Sequence, residues 1–428
     1  MTTIDVARAL TARFPHIFYG WYITGLAFLC LFVTSTTNSF TFSIFLPAMH
    51  DDLGWASSTI VAGSSIAAIV SAVTAPWLGR IVDQSGPFLV LVASMIAFGG
   101  SLLASALVVE PWQFFVAFGL VGGISRASLQ SVLPGSMIAN WFVRKRSAAY
   151  GVTAMGPPIA NLLMTPATSV LVAAHGWRTG WGAMSALAIG LGLLPGLLLT
   201  RRRPEDMGLL PDGDTPLSEV EQQTAPRSTI DDNDWTAYEA THSFEFWQVA
   251  GGLALIMAAP SISVVFLFSY FTDKGMSTTI AAAAVTVVSV LQVGSRVAFW
   301  VPVIIRLGVR RTLLLWGGLL FTSSILLAFA QSDAWAYAAT GVLGLAMGGN
   351  LVLQLQIWPE YFGRTAIGSI IGIGHLLQGI MSAVVPLALA AQLDATGSYS
   401  NLYLSVAVLV FSGLVIQAKV GRPTRPAR

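Results

Sequence analysis

Three titratable side chains stand inside long runs of Val, Leu, Ile, Phe, Gly and Ala: Arg126, Arg296 and His375. A charge at bilayer depth is unfavourable by about 2.5–3.5 kcal/mol on insertion scales, so such residues are rare and usually functional. Arg126 lies about 13 residues from either end of its run, too far for its stem to reach an interface. Gln130 follows at i+4 on the same helix face. Gly122, Gly123 and Pro134 flank the stretch, as close packing or a cavity-lining helix requires. Arg296 has Gln292 at i−4 and no acidic neighbour in its run. A planar guanidinium in that setting suits a carboxylate, which it can hold by two parallel hydrogen bonds.

His375, with Gln378 at i+3 and Gly372, Gly374 and Gly379 around it, is the one in-span residue of a type that titrates near neutrality. No Asp or Glu lies deep in any run, so proton exchange would fall to this imidazole. Blander readings stand beside each of these. Arg126 could be bonded to carbonyls of neighbouring helices, Arg296 could pack near a helix end, and His375 could be a core histidine. Asn38, Asn161, and Asn350 with Gln354 at i+4, could orient a small polar ligand or simply join helices by hydrogen bonds. Tyr270 reads as an interface anchor rather than a gate. Pro157 and Pro158, after Gly156, interrupt helix hydrogen bonding, and broken helices line cavities in membrane proteins.

The elements that must position these groups follow from composition. Of 428 residues, 55% are hydrophobic and only 10% charged, with a mean hydropathy of +0.72. A soluble domain carries roughly 25% charged residues, so a soluble enzyme is excluded. Apolar runs of spanning length place twelve helices at about 18–47, 57–80, 88–108, 112–138, 147–173 and 177–199, then 244–271, 277–305, 312–331, 335–358, 365–391 and 399–418. The first run lacks a small-residue cleavage site and reads as a span, not a signal peptide. Residues 1–200 and 244–428 form two six-helix halves, joined by a polar 201–243 segment that opens Arg201-Arg202-Arg203-Pro204 and reads as an exposed cytoplasmic linker. With both termini inside, eighteen of the 22 Lys and Arg fall on the inner side, against Arg178 and Lys274 outside. The inner side is therefore the cytoplasm, and a plasma (inner) membrane location is expected.

A duplication is visible at an offset near 220 residues. Trp141-Phe142-Val143-Arg144 matches Tyr361-Phe362-Gly363-Arg364, and Gly86 matches Gly308. The lone Cys30 excludes an internal disulfide and a thiolate metal site. A net charge of +2 without a basic, aromatic-interleaved patch gives no sign of nucleic acid. No phosphate loop, metal-ligand cluster or nucleophilic triad is present, and His16, His50, His175 and His242 scatter without partners. No cofactor, no metal and no enzyme activity are expected.

The loop Gly79-Arg80-Ile81-Val82-Asp83-Gln84-Ser85-Gly86 resembles the GxxxDxxG signature of the major facilitator superfamily, with Pro87 and Phe88 where basic residues usually follow. Within it the chain is similar to bacterial relatives of the monocarboxylate transporters and oxalate/formate antiporters. The likeness rests on Tyr19-Gly20-Trp21-Tyr22, Phe45-Leu46-Pro47 with Leu53-Gly54-Trp55, Gly176-Trp177-Arg178 and the stretch from Ser269 to Gly275. The resemblance implies an all-α membrane protein of two pseudo-symmetric six-helix bundles, self-sufficient as a monomer. It implies a gating role for Gly79, Asp83 and Gly86, and carboxylate transport with Arg296 at the family's eighth-helix arginine. The first helix lacks the lysine typical of monocarboxylate transporters, Gln292 replaces their aspartate, and His375 stands in the helix where the oxalate exchanger carries a lysine.

The expected function is secondary transport of a small organic anion, a mono- or dicarboxylate, by alternating access. Proton symport follows if His375 couples, and anion exchange follows if closure needs an occupied site. Arg126 and Arg296 would meet at the midplane, with Gln130, Gln292, Asn38, Asn161, Asn350 and Gln354 as polar company. Efflux of neutral or cationic compounds is the alternative, and a receptor or sensor the more distant one.

Overall fold

The computed structural model describes residues 17–213 and 235–421, and every regular element among them is helical. His16, residues 214–234 of the linker and the two terminal basic clusters up to residue 16 and from residue 422 lie outside the described residues. The first span, expected at about 18–47, is carried by helices α1 (Gly20–Ser35) and α2 (Ser39–Leu53), and the end of α2 from Ala48 on, Asp52 included, runs past it. They are followed by α3 (Ser57–Ser85), α4 (Pro87–Ala106), α5 (Pro111–Trp141), α6 (Arg146–Thr153), α7 (156–175) and α8 (177–199). After α9 (Ala237–His242) come α10 (Phe244–Val265), α11 (Leu267–Asp273), α12 (278–307), α13 (309–328), α14 (Asp333–Phe362), α15 (Ile367–Thr396) and α16 (Tyr399–Lys419).

Among the described residues, eight stretches are long and apolar enough to cross a membrane. Two of them, Arg146–Leu199 and Thr279–Ala328, are each divided by a glycine in a left-handed conformation, Gly176 (φ 83) and Gly308 (φ 76). Each therefore supplies two crossings. The first and seventh spans, broken into α1–α2 and α10–α11, complete twelve. Gly86 (φ 81, ψ 171) joins α3 to α4 just as Gly308 (φ 76, ψ 164) joins α12 to α13. Only glycine takes that conformation without penalty, so the duplication visible in sequence is repeated in backbone geometry.

The first span is not one helix as expected. The run Thr34-Ser35-Thr36-Thr37-Asn38 turns its hydroxyls back onto its own carbonyls: Thr34 Oγ1 donates to Cys30 O at 2.8 Å, and Thr36 Oγ1 to Val33 O at 2.8 Å. Such bonds compete with helix continuation. Asn38 then accepts from the Thr41 N–H at 3.3 Å and caps α2. In the fifth span the break falls at Ala154–Met155, ahead of the prolines, which occupy the opening turn of α7 where a missing N–H does no harm. Part of the linker is described, 201–213 and 235–243. Short 3₁₀ turns form at Pro204–Met207 and Pro211–Gly213, and Pro204, Asp212, Trp235 and Ala240 are buried.

Contacts group the described residues into two compact units. One holds the chain up to Ala237 together with Gly363–Leu376; the other holds Tyr238–Phe362 and the chain from Leu377. In the first, Phe45 stacks on Trp181 at 4.0 Å and Phe118 meets both Phe114 (5.1 Å) and Trp181 (5.4 Å). Ring pairs of this kind add about 0.5–1.5 kcal/mol each beyond area burial. In the second, indole N–H groups reach backbone carbonyls, Trp300 to Leu345 at 2.7 Å and Trp316 to Ala346 at 2.8 Å. Tyr270, expected as an interface anchor, is instead fully buried and donates to the Leu327 carbonyl. Inside lipid an unpaired hydroxyl would find no water, which explains the bond.

Candidate functional site

Arg126 stands on α5 between two π-helical turns, Phe115–Val121 and Ser128–Val132. Wide turns of this kind rotate the following side chains off the regular α-helical phase and recur at functional sites. Its guanidinium lies 4.3 Å from the Phe118 ring centre and 5.8 Å from that of Phe98, and donates to Thr37 Oγ1 at 2.8 Å. Its Nε is buried and carries no hydrogen bond. The cation is thus held by ring faces and one hydroxyl, with no carboxylate to neutralise it among the contacts described. Cation–π contacts become worth about 2 kcal/mol when desolvated.

The α1–α2 break supplies that hydroxyl. Thr37 and Asn38 are consecutive in it: Thr37 accepts from Arg126, and the Asn38 amide donates to Asn161 Oδ1 on α7. One turn along, Thr41 and Thr165 hydroxyls meet at 3.2 Å. Three predicted residues, Arg126, Asn38 and Asn161, are therefore brought together by the broken helix. Gln130 is half-buried in the second π turn of α5 and has no described bond to them.

In the second unit Arg296 also opens a π-helical turn, Arg296–Trp300, and is 4% exposed. Its Nε donates to the Gly348 carbonyl of α14 at 3.3 Å. A Cβ at Gly348 would lie 2.9 Å from the Gln292 carbonyl, so a glycine is what lets α12 and α14 touch here. Two residues on, Asn350 Oδ1 is buried without a partner. Gln354 donates to Gln378 of α15, whose Nε2 is buried and unpartnered. His375, on the first-unit part of α15, has a buried Nδ1 without a hydrogen bond. Among the described residues no cluster of His, Cys, Asp or Glu could hold a metal ion.

The Gly79–Gly86 stretch, expected as a loop, is instead the last turns of α3 with Gly86 as its cap, and it lies inside the first unit against the start of α15. Asp83 Oδ1 accepts from the Gly368 N–H at 2.8 Å, and Oδ2 accepts from the Ser369 N–H at 2.7 Å and Oγ at 2.6 Å. Those amides belong to the first turn of a helix, which has no internal acceptor for them. Backbones are in direct contact below: a Cβ at Gly79 would fall 2.1 Å from Gly368 O, and one at Gly372 2.4 Å from Ala75 O.

Thr37, Phe98 and Phe118 belong to these surroundings although sequence reading did not select them. The one signal for Thr37 was the hydroxyl-rich run across the middle of an apolar stretch. For the phenylalanines there was none, since nothing separates a ring beneath a guanidinium from a ring against lipid.

A model of the Major Facilitator Superfamily matches residues 27–386. Human monocarboxylate transporter 11 is 25% identical over 382 residues, covering 85% of this chain and 74% of that protein. Monocarboxylate transporter 4 of Rattus norvegicus is 22% identical over 405 residues, covering 93% and 82%. Among solved structures, the major facilitator transporter FucP in the outward conformation superposes with a TM-score of 0.72 at 12% identity, over 95% of this chain and 99% of that one. With the family matched across most of its length, on an all-helical chain of membrane-spanning stretches, the protein belongs to the major facilitator superfamily and is a multi-pass membrane transporter rather than an enzyme.

Proposed function

We propose that the chain carries small organic anions, mono- or dicarboxylates, by alternating access. The observation that carries this reading is Arg126: a guanidinium deep in an apolar helix, held by Thr37 and two phenylalanine rings instead of a carboxylate. A cation so placed is stabilised by an anion that arrives and leaves, which is what a carrier of anions needs. Arg296 is the second anion contact, and a carboxylate substrate is in keeping with the names of the monocarboxylate transporters to which the chain is similar. Neutralisation of both arginines by the substrate would permit closure around it. Asn38, Asn161, Gln130, Gln292, Asn350 and Gln354 supply neutral hydrogen-bonding groups around the anion. His375 is the proton-exchanging group if transport is symport, and anion exchange is the other mode. Gly79, Asp83 and Gly86 act as the gate, through the seat that Asp83 makes on α15. The protein works as a monomer in the plasma (inner) membrane, with both termini in the cytoplasm.

Uptake of radiolabelled carboxylates into proteoliposomes tests the reading. Loss of uptake in both Arg126→Ala and Arg296→Ala, with normal thermal melting, is expected. Normal uptake in either variant removes that arginine from the site, and normal uptake in both sinks the anion reading. Stimulation by an inward proton gradient that disappears in His375→Gln would identify symport. Uptake that requires anion preloaded on the far side would identify exchange.

A further inference from the structure

We infer that residues 200–213 form a clasp that holds the start of α15 on Asp83, with Glu205 and Asp212 as its positioning residues. The anchor is Asp212. Its carboxylate accepts from three successive backbone N–H groups, Val143 at 3.1 Å, Arg144 at 2.8 Å and Lys145 at 3.0 Å, and Lys145 Nζ donates to its carbonyl at 3.3 Å. Successive amides converging on one point make a concave anion seat, here at the entrance to α6 and filled by the chain itself. Asp212 is 3% exposed and, among the described residues, is the one non-glycine residue with positive φ (62°). A side chain in that conformation persists only where its surroundings over-determine it. Next to it, Gly213 lies against Phe18, which packs on Trp141 and Phe142.

From this anchor the strap reaches two further points. Arg202 donates to the Asp83 main-chain carbonyl at 3.0 Å, and its stem lies over Gly86. Glu205 pairs with Arg364 at 2.9 Å, while Arg364 also donates to Asn140 O at 3.4 Å. One short segment therefore ties the end of α3, the α5–α6 connection and the turn before α15. Arg364 stands four residues ahead of Gly368, so α15 cannot leave Asp83 as a body without pulling Arg364 from Glu205. The pair is partly exposed, with side chains at 19% and 40%, which makes it weak, salt-sensitive and reversible. Reversibility is what a clasp on a cycling gate requires. This inference rests on the proposed reading of the Asp83 seat as a gate.

Hydrogen-exchange mass spectrometry on the full chain in lipid nanodiscs tests it, because the Gly368 and Ser369 amides are covered by Asp83 and their exchange reports opening. Glu205→Gln should speed exchange in peptides covering 366–371 by about fivefold, the change an ion pair of this exposure supports. Arg364→Gln should match it, the double variant should add nothing, and high salt should reproduce it in the wild type. Asp212→Asn should act in the same direction and also expose the 143–145 amides. Peptides from α16 should be unchanged throughout, which separates opening from unfolding. Unaltered exchange at 366–371 in Glu205→Gln overturns the clasp, even if Asp212→Asn fails to fold. The readout needs no substrate. If carboxylate uptake fails while Glu205→Gln still opens this segment, the clasp stands and only the substrate reading falls.

Discussion

Asp83 caps α15 from another helix: its two carboxylate oxygens take the N–H groups of Gly368 and Ser369 and the Ser369 hydroxyl, all within 2.8 Å. Negative charge at a helix N-terminus is favourable in itself, and here it satisfies amides that have no acceptor within their own helix. The cap is seated by backbone contact at Gly79 and Gly372, where no side chain would fit. Chemistry and shape thus specify one seating of α3 on α15.

Asp83→Asn keeps the shape and removes the charge. The amide offers one acceptor oxygen where three donors converge and turns its NH₂ against the rest. Hydrogen bonds to charged groups contribute about 1.5–3 kcal/mol each, so losing even one shifts the seated population by roughly tenfold or more. Exchange at Gly368 and Ser369 should rise accordingly, and maximal uptake should fall. Wild-type exchange in this variant would remove Asp83 from the gate.

Gly372→Ala tests the shape alone. The added methyl would fall 2.4 Å from Ala75 O and 2.8 Å from Ala75 C, and backbone cannot swing aside as a side chain can. Alanine also favours helix over glycine by about 1 kcal/mol, so α15 itself is not weakened. The variant should insert and fold, show fast exchange at 366–371, and transport poorly. Wild-type uptake would show that the close approach is not used in the cycle.

How far the sequence foretold this arrangement depends on the kind of interaction. Twelve spans follow from hydropathy because lipid forces every backbone group into helix, and the matched turns at Gly86 and Gly308 follow from a repeat in glycine spacing. Arg126 and Arg296 announced themselves because a charge in lipid is rare. Their settings did not, since π-helical turns at Phe115–Val121, Ser128–Val132 and Arg296–Trp300 have no compositional signature. The α1–α2 break hid inside an apolar average, although the Thr34–Asn38 run carried its cause. Asp212 was illegible for a different reason. In a polar, proline-rich stretch an aspartate reads as solvent-facing, and only the fold shows three amides waiting for it.

Thr37 should matter through Arg126. Thr37→Ala removes the hydroxyl that, among the described residues, accepts from this guanidinium at 2.8 Å, whereas Thr37→Ser keeps it. A hydrogen bond to a charged group of this strength predicts a rise in the KM for carboxylate uptake of about tenfold in the alanine variant. The serine variant should lie close to wild type. Equal behaviour of the two variants would mean that Thr37 serves only to end α1.

Asp52 supplies a pH signature outside the membrane-spanning segments. Its carboxylate accepts from the Arg178 guanidinium and from Trp177 Nε1 at 3.0 Å, and Arg178 lies 4.2 Å from the Trp177 ring centre. The bond from Arg178, then that from Trp177, hold the Asp52 carboxyl below the ordinary carboxylate range. A group whose folded pKa is depressed adds stability above its unfolded pKa, about 3.9 for aspartate, and loses that contribution as pH falls through the folded value. Asp52→Asn should therefore melt below wild type at pH 7, by the same margin down to about pH 4.5, with the two converging in more acidic buffer. Both side chains of the pair are 47% exposed, so added salt should narrow the gap at neutral pH as well. A margin that persists unchanged at pH 3 would show that Asp52 stabilises by packing and not by its charge.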